Sequence, residues 1–167
     1  MEATTMRSTS SLVQRLARDF PRLSFTTTAK PSYWSSTHQT VFYNPSEPHA
    51  DWVLLHETAH AILAHDSYPR DIVLLQIERD AWHYAQTVLA KRYDIAIDNE
   101  FAESQLDTYR DWLHTKSACP ACDMTGVETS AQHYTCLMCG HGWQVNVGID
   151  VAIRRYSQST LHLSHPV

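Results

Sequence analysis

The sequence contains no apolar stretch long enough to cross a bilayer. Its longest apolar runs are Val53-Leu54-Leu55 and Ile72-Val73-Leu74-Leu75, whereas a membrane-spanning helix needs about 20 apolar residues. The segment from Met1 to Phe20 lacks the apolar centre and the small-residue cleavage site of a secretory signal. We therefore predict a cytoplasmic protein with no membrane partner.

Positive charge and internal repeats are also scarce. The formal net charge is −5, and no tract of low complexity is visible. Because nucleic acid phosphates attract basic proteins, nucleic acid is a less favoured partner than another protein. The chain has 167 residues, of which 43% are hydrophobic, including five Trp. This is enough for one folded domain with a small appendage.

Cysteine is rare, but its spacing is informative. The four cysteines form two CxxC pairs, Cys119 with Cys122 and Cys136 with Cys139. In a reducing compartment this spacing predicts a zinc ribbon over residues 117–150 rather than disulfides. Four thiolates close the coordination sphere, so the expected Zn²⁺ is structural. A redox CxxC motif is the alternative interpretation.

The remaining pattern predicts an α+β fold. Apolar periodicity indicates helices near residues 10–20, 49–65, 70–93 and 98–116, and β-branched or aromatic runs indicate strands at 23–28 and 40–44. Two further strands are expected in the ribbon, at 133–135 and 143–145. We expect a first domain over residues 1–116, the ribbon over 117–150, and a mobile tail over 151–167.

The predicted helix at 49–65 carries an HExxH motif, His56-Glu57-Thr58-Ala59-His60. On a helix the two histidines lie one turn apart on the same face and can bind one zinc ion. Glu57 is the expected catalytic general base. The alternatives are a chance match of helix histidines and a purely structural metal site.

A catalytic zinc needs a third protein ligand and an open position. A turn between antiparallel helices would bring Glu78 towards the histidines, whereas Asp80 lies about 200° around the same helix, so both cannot bind one metal. Asp66 is disfavoured because no glycine follows His60 to turn the chain. His65 lies about 140° from the metal face while the helix continues.

Two stretches resemble a known family. Residues 56–65, HETAHAILAH, resemble the active-site helix of the ImmA/IrrE-type metallopeptidases, and residues 78–85, ERDAWHYA, resemble their second motif. The resemblance covers residues 35–95. It implies a small zincin-like core, mostly helical with a small N-terminal sheet, and Glu78 rather than Asp80 as the third ligand. It also implies a peptidase that cuts one protein partner, often a helix-turn-helix repressor.

The sequence therefore predicts a zinc-dependent endopeptidase of restricted specificity, with one catalytic and one structural Zn²⁺. The strand at 40–44 is expected to pair with an extended substrate. One alternative is a non-catalytic zinc-ribbon adaptor or nucleic-acid-binding protein with a degenerate protease core. Another is a DNA-associated protease of the SprT type, which would need a third histidine ligand such as His83.

Overall fold

Helices and two small sheets alternate along the chain, so the predicted α+β fold is confirmed. The computed structural model describes residues 2–148 and 152–157. The helices are α1 (Glu2–Asp19), α2 (Ala50–Ile62), α3 (Asp71–Tyr84), a π-helical segment (Ala85–Leu89), α4 (Ala90–Tyr93) and α5 (Asn99–Ser117). The strands are β1 (Ser24–Thr27), β2 (Tyr33–Ser35), β3 (Thr40–Tyr43), β4 (Gly126–Ser130), β5 (His133–Cys136), β6 (Gly142–Val145) and β7 (Arg155–Ser157).

The chain folds into two compact units. The first contains the residues up to Ser67 together with Gln76–Ala102, and the second contains Tyr68–Leu75 and the residues from Glu103 onward. The second unit is therefore larger than the ribbon predicted over residues 117–150, because it takes in the first turn of α3 and most of α5. Helix α3 contributes residues to both units. Within the described ranges, none of the helices combines the length and the apolar character that crossing a membrane requires.

The first unit contains a three-stranded sheet with the order β1-β3-β2. Strand β3 pairs in parallel with β1 and antiparallel with β2, with Val41 opposite Trp34. Since β3 is paired on both sides, the expectation that this strand binds an extended substrate is wrong. Strand β2 lies at an edge instead, and its three residues are too few to give the sequence a strand pattern.

The core of the first unit is built from α1, β3, α2 and the α3–π–α4 run. Its buried members share small or aliphatic side chains on the inner faces of these elements: Leu12, Leu16, Val41, Leu54, Leu55, Ala59, Ala81, Ala85, Leu89 and Ala90, with Tyr93 at one end. Helix α2 packs against the π-helical segment. The helix predicted over 70–93 is present, but a π-helical segment interrupts its 3.6-residue period.

The second unit contains an antiparallel sheet with the order β4-β5-β6-β7. Strands β5 and β6 confirm the two strands predicted in the ribbon. Gly126 passes so close to Trp143 that a Cβ at this position would overlap the indole ring. Strand β7 pairs with β6 inside the range expected to be a mobile tail. The rest of that predicted tail, 151 and 158–167, lies outside the described residues.

A buried ion pair joins the first turn of α3 to the rest of the second unit. Lys116 Nζ lies 2.6 Å from Asp71 Oδ2, and both side chains are almost fully buried. The Tyr134 hydroxyl donates to the same Asp71 oxygen at 2.5 Å, and the Asp71 N–H donates to Glu128 Oε2 at 2.7 Å. Lys116 also lies 4.0 Å from the centre of the Trp112 ring. These contacts explain why residues 68–75 belong to the second unit.

We predict that Lys116→Met lowers the free energy of unfolding by about 3 kcal/mol or more, because the Asp71 carboxylate stays buried without its cation. Adding Asp71→Asn should recover much of the loss, since the amide oxygen still accepts from Tyr134. Urea denaturation at a fixed metal concentration measures both effects. Arg110→Met is the matched control because Arg110 forms exposed pairs on the same helix, worth about 1 kcal/mol or less. If Lys116→Met and Arg110→Met lower the free energy of unfolding by equal amounts, the prediction is contradicted.

Candidate metal centres

Helix α2 brings the two histidines of the HExxH motif together. Its apolar residues Leu54, Leu55 and Ala59 are buried in the core, and His56 and His60 are buried beside them. The two Nε2 atoms lie 3.1 Å apart. This is the arrangement expected for residues four positions apart on one helical face.

Glu78 on α3 completes a group of three metal-binding side chains. Its Oε2 atom lies 3.1 Å from His56 Nε2 and 3.5 Å from His60 Nε2, and its side chain is buried. Tetrahedral zinc with bonds of about 2.0–2.1 Å holds its ligand atoms about 3.3 Å apart. The three donor atoms therefore have the spacing that a small metal ion requires. We call this group the His–His–Glu centre.

Asp80, the competing carboxylate, does not join this group. Its side chain is exposed and forms an ion pair with Arg79 at 2.9 Å. Asp66 is also exposed, and its Oδ1 atom accepts from the Ser36 hydroxyl at 2.5 Å. Of the carboxylates weighed as third ligands, only Glu78 lies against the two histidines.

The protonation states suit metal ligation. Burial lowers the pKa of His56 to about 4, which leaves a neutral imidazole at neutral pH. Burial acts to raise the pKa of Glu78, but hydrogen bonds from His56 and His60 outweigh it and lower this pKa to about 2. For His60, burial favours the neutral form, yet hydrogen bonding to Glu78 raises its pKa overall. The raised pKa means that a metal ion has to compete with protons for His60.

Glu57 lies on α2 between the two histidines but is directed towards β2. Its Oε2 atom accepts a hydrogen bond of 2.8 Å from the backbone N–H of Trp34. Burial raises the pKa of the Glu57 carboxyl to about 7, against the opposing charge of His60. A carboxylate with such a pKa can both take and release a proton near neutral pH.

His65, which the helical wheel places away from the metal face, in fact contacts the centre. Helix α2 ends at Ile62, and Ala64 adopts a positive φ of 55°. This turn lets the His65 N–H donate to the His60 carbonyl at 3.0 Å and brings the two Nδ1 atoms to 3.0 Å. No glycine marks this turn in the sequence, and the helix was therefore predicted to continue to residue 65. A continuous helix would have kept His65 away from His60.

Aromatic rings hold the other histidine. Trp82 stacks on the His56 ring with centroids 4.1 Å apart, and Phe101 meets Trp82 edge-on at 5.7 Å. His56 Nδ1 is buried and has no hydrogen-bond partner among the residues that the structure describes. Stacking and packing therefore fix the orientation of this ring. The sequence did not indicate this role of Trp82, because an aromatic residue on the apolar face of a helix usually indicates core packing alone.

A pocket of about 360 Å³ adjoins the residues that contact the centre. Trp34, Gln39, Ala61, His65 and Asp66 contribute to its walls. Trp34 also binds Glu57, and His65 contacts His60, so two of the lining residues are partners of HExxH residues. Its lining is mainly polar, with hydroxyl, amide and carboxylate groups.

The four cysteines form a second candidate metal centre. The Sγ atoms lie 3.5–3.7 Å apart for the pairs Cys119–Cys139, Cys122–Cys136 and Cys122–Cys139. Zinc–sulfur bonds of about 2.3 Å imply separations of about 3.8 Å in a tetrahedral site. All four thiols are free rather than paired in disulfides. The cluster can therefore hold a metal ion.

The two cysteine turns share one local geometry. The residue after each second cysteine, Asp123 or Gly140, has a positive φ, of 58° and 72° respectively. Backbone N–H groups donate to sulfur at 3.4–3.5 Å, from Ala121 to Cys119 and from Met138 and Cys139 to Cys136. Hydrogen bonds from these N–H groups lower the pKa of Cys136 to about 6, which favours the metal-binding thiolate.

Comparison with known proteins does not assign the chain to a family. No protein-family model matches it, and neither the curated proteins nor the solved structures gave a match. The resemblance to ImmA/IrrE-type metallopeptidases therefore depends on the two motifs in the chain itself.

Metal analysis after dialysis should find two equivalents per chain. We expect Glu78→Ala to lose one equivalent, because the His–His–Glu centre needs its carboxylate, and Cys122→Ser to lose the other. Asp80→Ala is the matched control for Glu78→Ala, since it removes an exposed carboxylate from the same helix, and it should keep both ions. A count that falls equally in the Glu78 and Asp80 variants would show that the centre is misassigned.

Proposed function

We propose that this protein is a zinc-dependent endopeptidase of restricted specificity with a zincin-like core. The observation that carries the proposal is the convergence of His56, His60 and Glu78 at 3.1–3.5 Å, with Glu57 on the same helical segment. Two histidines, one glutamate and a neighbouring base are the parts that a metal-dependent hydrolase requires.

Zinc is the metal that best fits both donor sets. Two imidazoles and a carboxylate are typical of catalytic zinc, which keeps one position open, and four thiolates are typical of structural zinc. The His–His–Glu group has three members among residues 2–148 and 152–157. When bound there, zinc would polarise a carbonyl group and acidify a water molecule.

The protein side chains would perform the remaining steps. Glu57 takes a proton from the attacking water and later delivers it to the leaving amine. The Trp34 N–H donates to one oxygen of this carboxylate and so fixes that oxygen at β2. Glu78 is ionised and His56 neutral, as metal ligation demands.

A peptide substrate is favoured by the surroundings of Glu57. Strand β2 is an edge strand, and an extended peptide that adds to it by backbone hydrogen bonds would compete with Glu57 for the Trp34 N–H. The pocket lined by Trp34, His65 and Asp66 can accept a side chain of that peptide. The partner would be a protein, and the family resemblance suggests a helix-turn-helix repressor.

A non-catalytic adaptor is the second candidate, supported by the surface of the four-cysteine turns. Leu137 and Met138, at the tip of the second turn, are 74% and 70% exposed, which suits contact with a protein. An adaptor with a degenerate core would bind one metal ion rather than two. The SprT-type alternative is less favoured, because the exposed His83 is not part of the metal-binding group.

The proposal predicts that Glu57→Gln lowers peptide cleavage by about 10²- to 10⁴-fold, since the amide cannot accept the proton. Zinc content should remain two equivalents because Glu57 is not a ligand. The substrate for this test is a proteome-derived peptide mixture, in which mass spectrometry identifies new N-termini.

Asp80→Asn serves as the control for a lost carboxylate on a neighbouring helix and should cleave the same peptides as the wild type. If the Glu57→Gln protein generates the wild-type set of N-termini at the wild-type rate, Glu57 is not the base. If the wild type binds a single zinc ion and generates no new N-termini, the adaptor function is favoured.

A further inference from the structure

The contact between His65 and His60 is not used in the proposed reaction. His60 presents Nε2 to His56 and Glu78, and its other ring nitrogen lies 3.0 Å from Nδ1 of His65. A ring nitrogen that binds a metal ion carries no proton, so the proton of a neutral His60 resides on Nδ1. That Nδ1–H can then donate to the unprotonated Nδ1 of His65.

His65 is itself fixed by two backbone contacts. Its N–H donates to the His60 carbonyl at the end of α2, and its carbonyl accepts from the Trp34 indole N–H at 2.9 Å. The next residue, Asp66, is attached to Ser36 by a hydrogen bond of 2.5 Å. The acceptor nitrogen of His65 is therefore presented to His60 from a segment anchored to both α2 and β2.

The two histidine ligands are held by different means. His56 is stacked against Trp82, and its Nδ1 has no hydrogen-bond partner among the described residues. His60 has a hydrogen-bond partner for its Nδ1, and this partner is His65. The orientation of His60 thus depends on a hydrogen bond that a single substitution can remove.

We propose that His65 is a positioning residue of the His–His–Glu centre: it accepts from His60 Nδ1–H and so fixes the tautomer and the ring orientation that free Nε2 for the metal. Trp34 assists by holding the His65 carbonyl. Partners of this kind on metal-binding histidines commonly contribute 10- to 100-fold to metal affinity. The inference rests on the metal centre of the proposed function and not on the hydrolysis assigned to it.

The test is titration of the full-length, metal-free protein with Co²⁺. The Co²⁺ d–d bands of the His–His–Glu centre are obtained by subtracting the spectrum of the Glu78→Ala protein, in which only the four-cysteine site is expected to bind. The thiolate band reports the four-cysteine site separately. His65→Leu should bind Co²⁺ at the His–His–Glu centre about 10- to 100-fold more weakly, with an altered spectrum and an unchanged thiolate band. His65→Asn keeps an acceptor and should recover part of the affinity. His83→Leu, which removes an exposed histidine from α3, is the control and should behave as the wild type.

A second measurement covers the case in which His65→Leu fails to fold. Trp34→Phe removes the indole N–H but keeps an aromatic ring, and it should weaken Co²⁺ binding at the same centre by a smaller factor. In ¹⁵N spectra of histidine rings, recorded on the metal-free protein at a pH where His60 is neutral, the wild type should show His60 protonated at Nδ1. This signature should be lost when His65 is replaced by Leu.

Two results would overturn the inference. One is a folded His65→Leu protein with the affinity, the Co²⁺ spectrum and the His60 tautomer of the wild type. The other is a wild type that binds no Co²⁺ through His56, His60 and Glu78. A wild type that needs His65 for metal binding but cleaves no peptide would refute the proposed function alone.

Discussion

The candidate metal centre depends on one close approach, that of the Glu78 carboxylate to the imidazoles of His56 and His60. Each of these buried polar groups would be costly by itself, because an apolar interior does not replace the lost water. Together they satisfy one another, at 3.1–3.5 Å, and the two imidazoles keep the carboxylate ionised in spite of its burial. Ala59 of α2 and Ala81 of α3 are both buried in the core of the first unit.

The two candidate metal centres use the backbone in opposite ways. The four-cysteine site is built on turns, in which backbone N–H groups between the paired cysteines donate to sulfur. The His–His–Glu centre is built on helices, whose N–H groups are already used, so side chains must supply the supporting contacts. Trp82 stacks on His56, and His65 contacts His60. The geometry of each cysteine pair therefore follows from a short stretch of sequence, whereas the His–His–Glu centre requires packing between segments that are far apart in sequence.

Several errors of the sequence interpretation share one cause, which is that local patterns do not specify where elements end. Helix α2 stops three residues before the predicted boundary, and this early end turns His65 towards His60. Strand β2 has three residues and no recognisable alternation, yet it supplies the N–H that binds Glu57. Strand β3 was predicted to pair with a substrate, but it lies between β1 and β2 and has no free edge.

The sequence alone determined the donor types, their spacing within each motif and the α+β class. Spacing of four residues on a helix sets His56 beside His60, and a CxxC turn sets two sulfurs together, whatever the rest of the chain does. Only the tertiary structure decided that Glu78 and not Asp80 faces the histidines. It also decided that the Trp34 N–H binds Glu57 and that His65 contacts His60. Those contacts join segments far apart in sequence or beyond a helix end, and their distances follow from how the elements pack rather than from any local period.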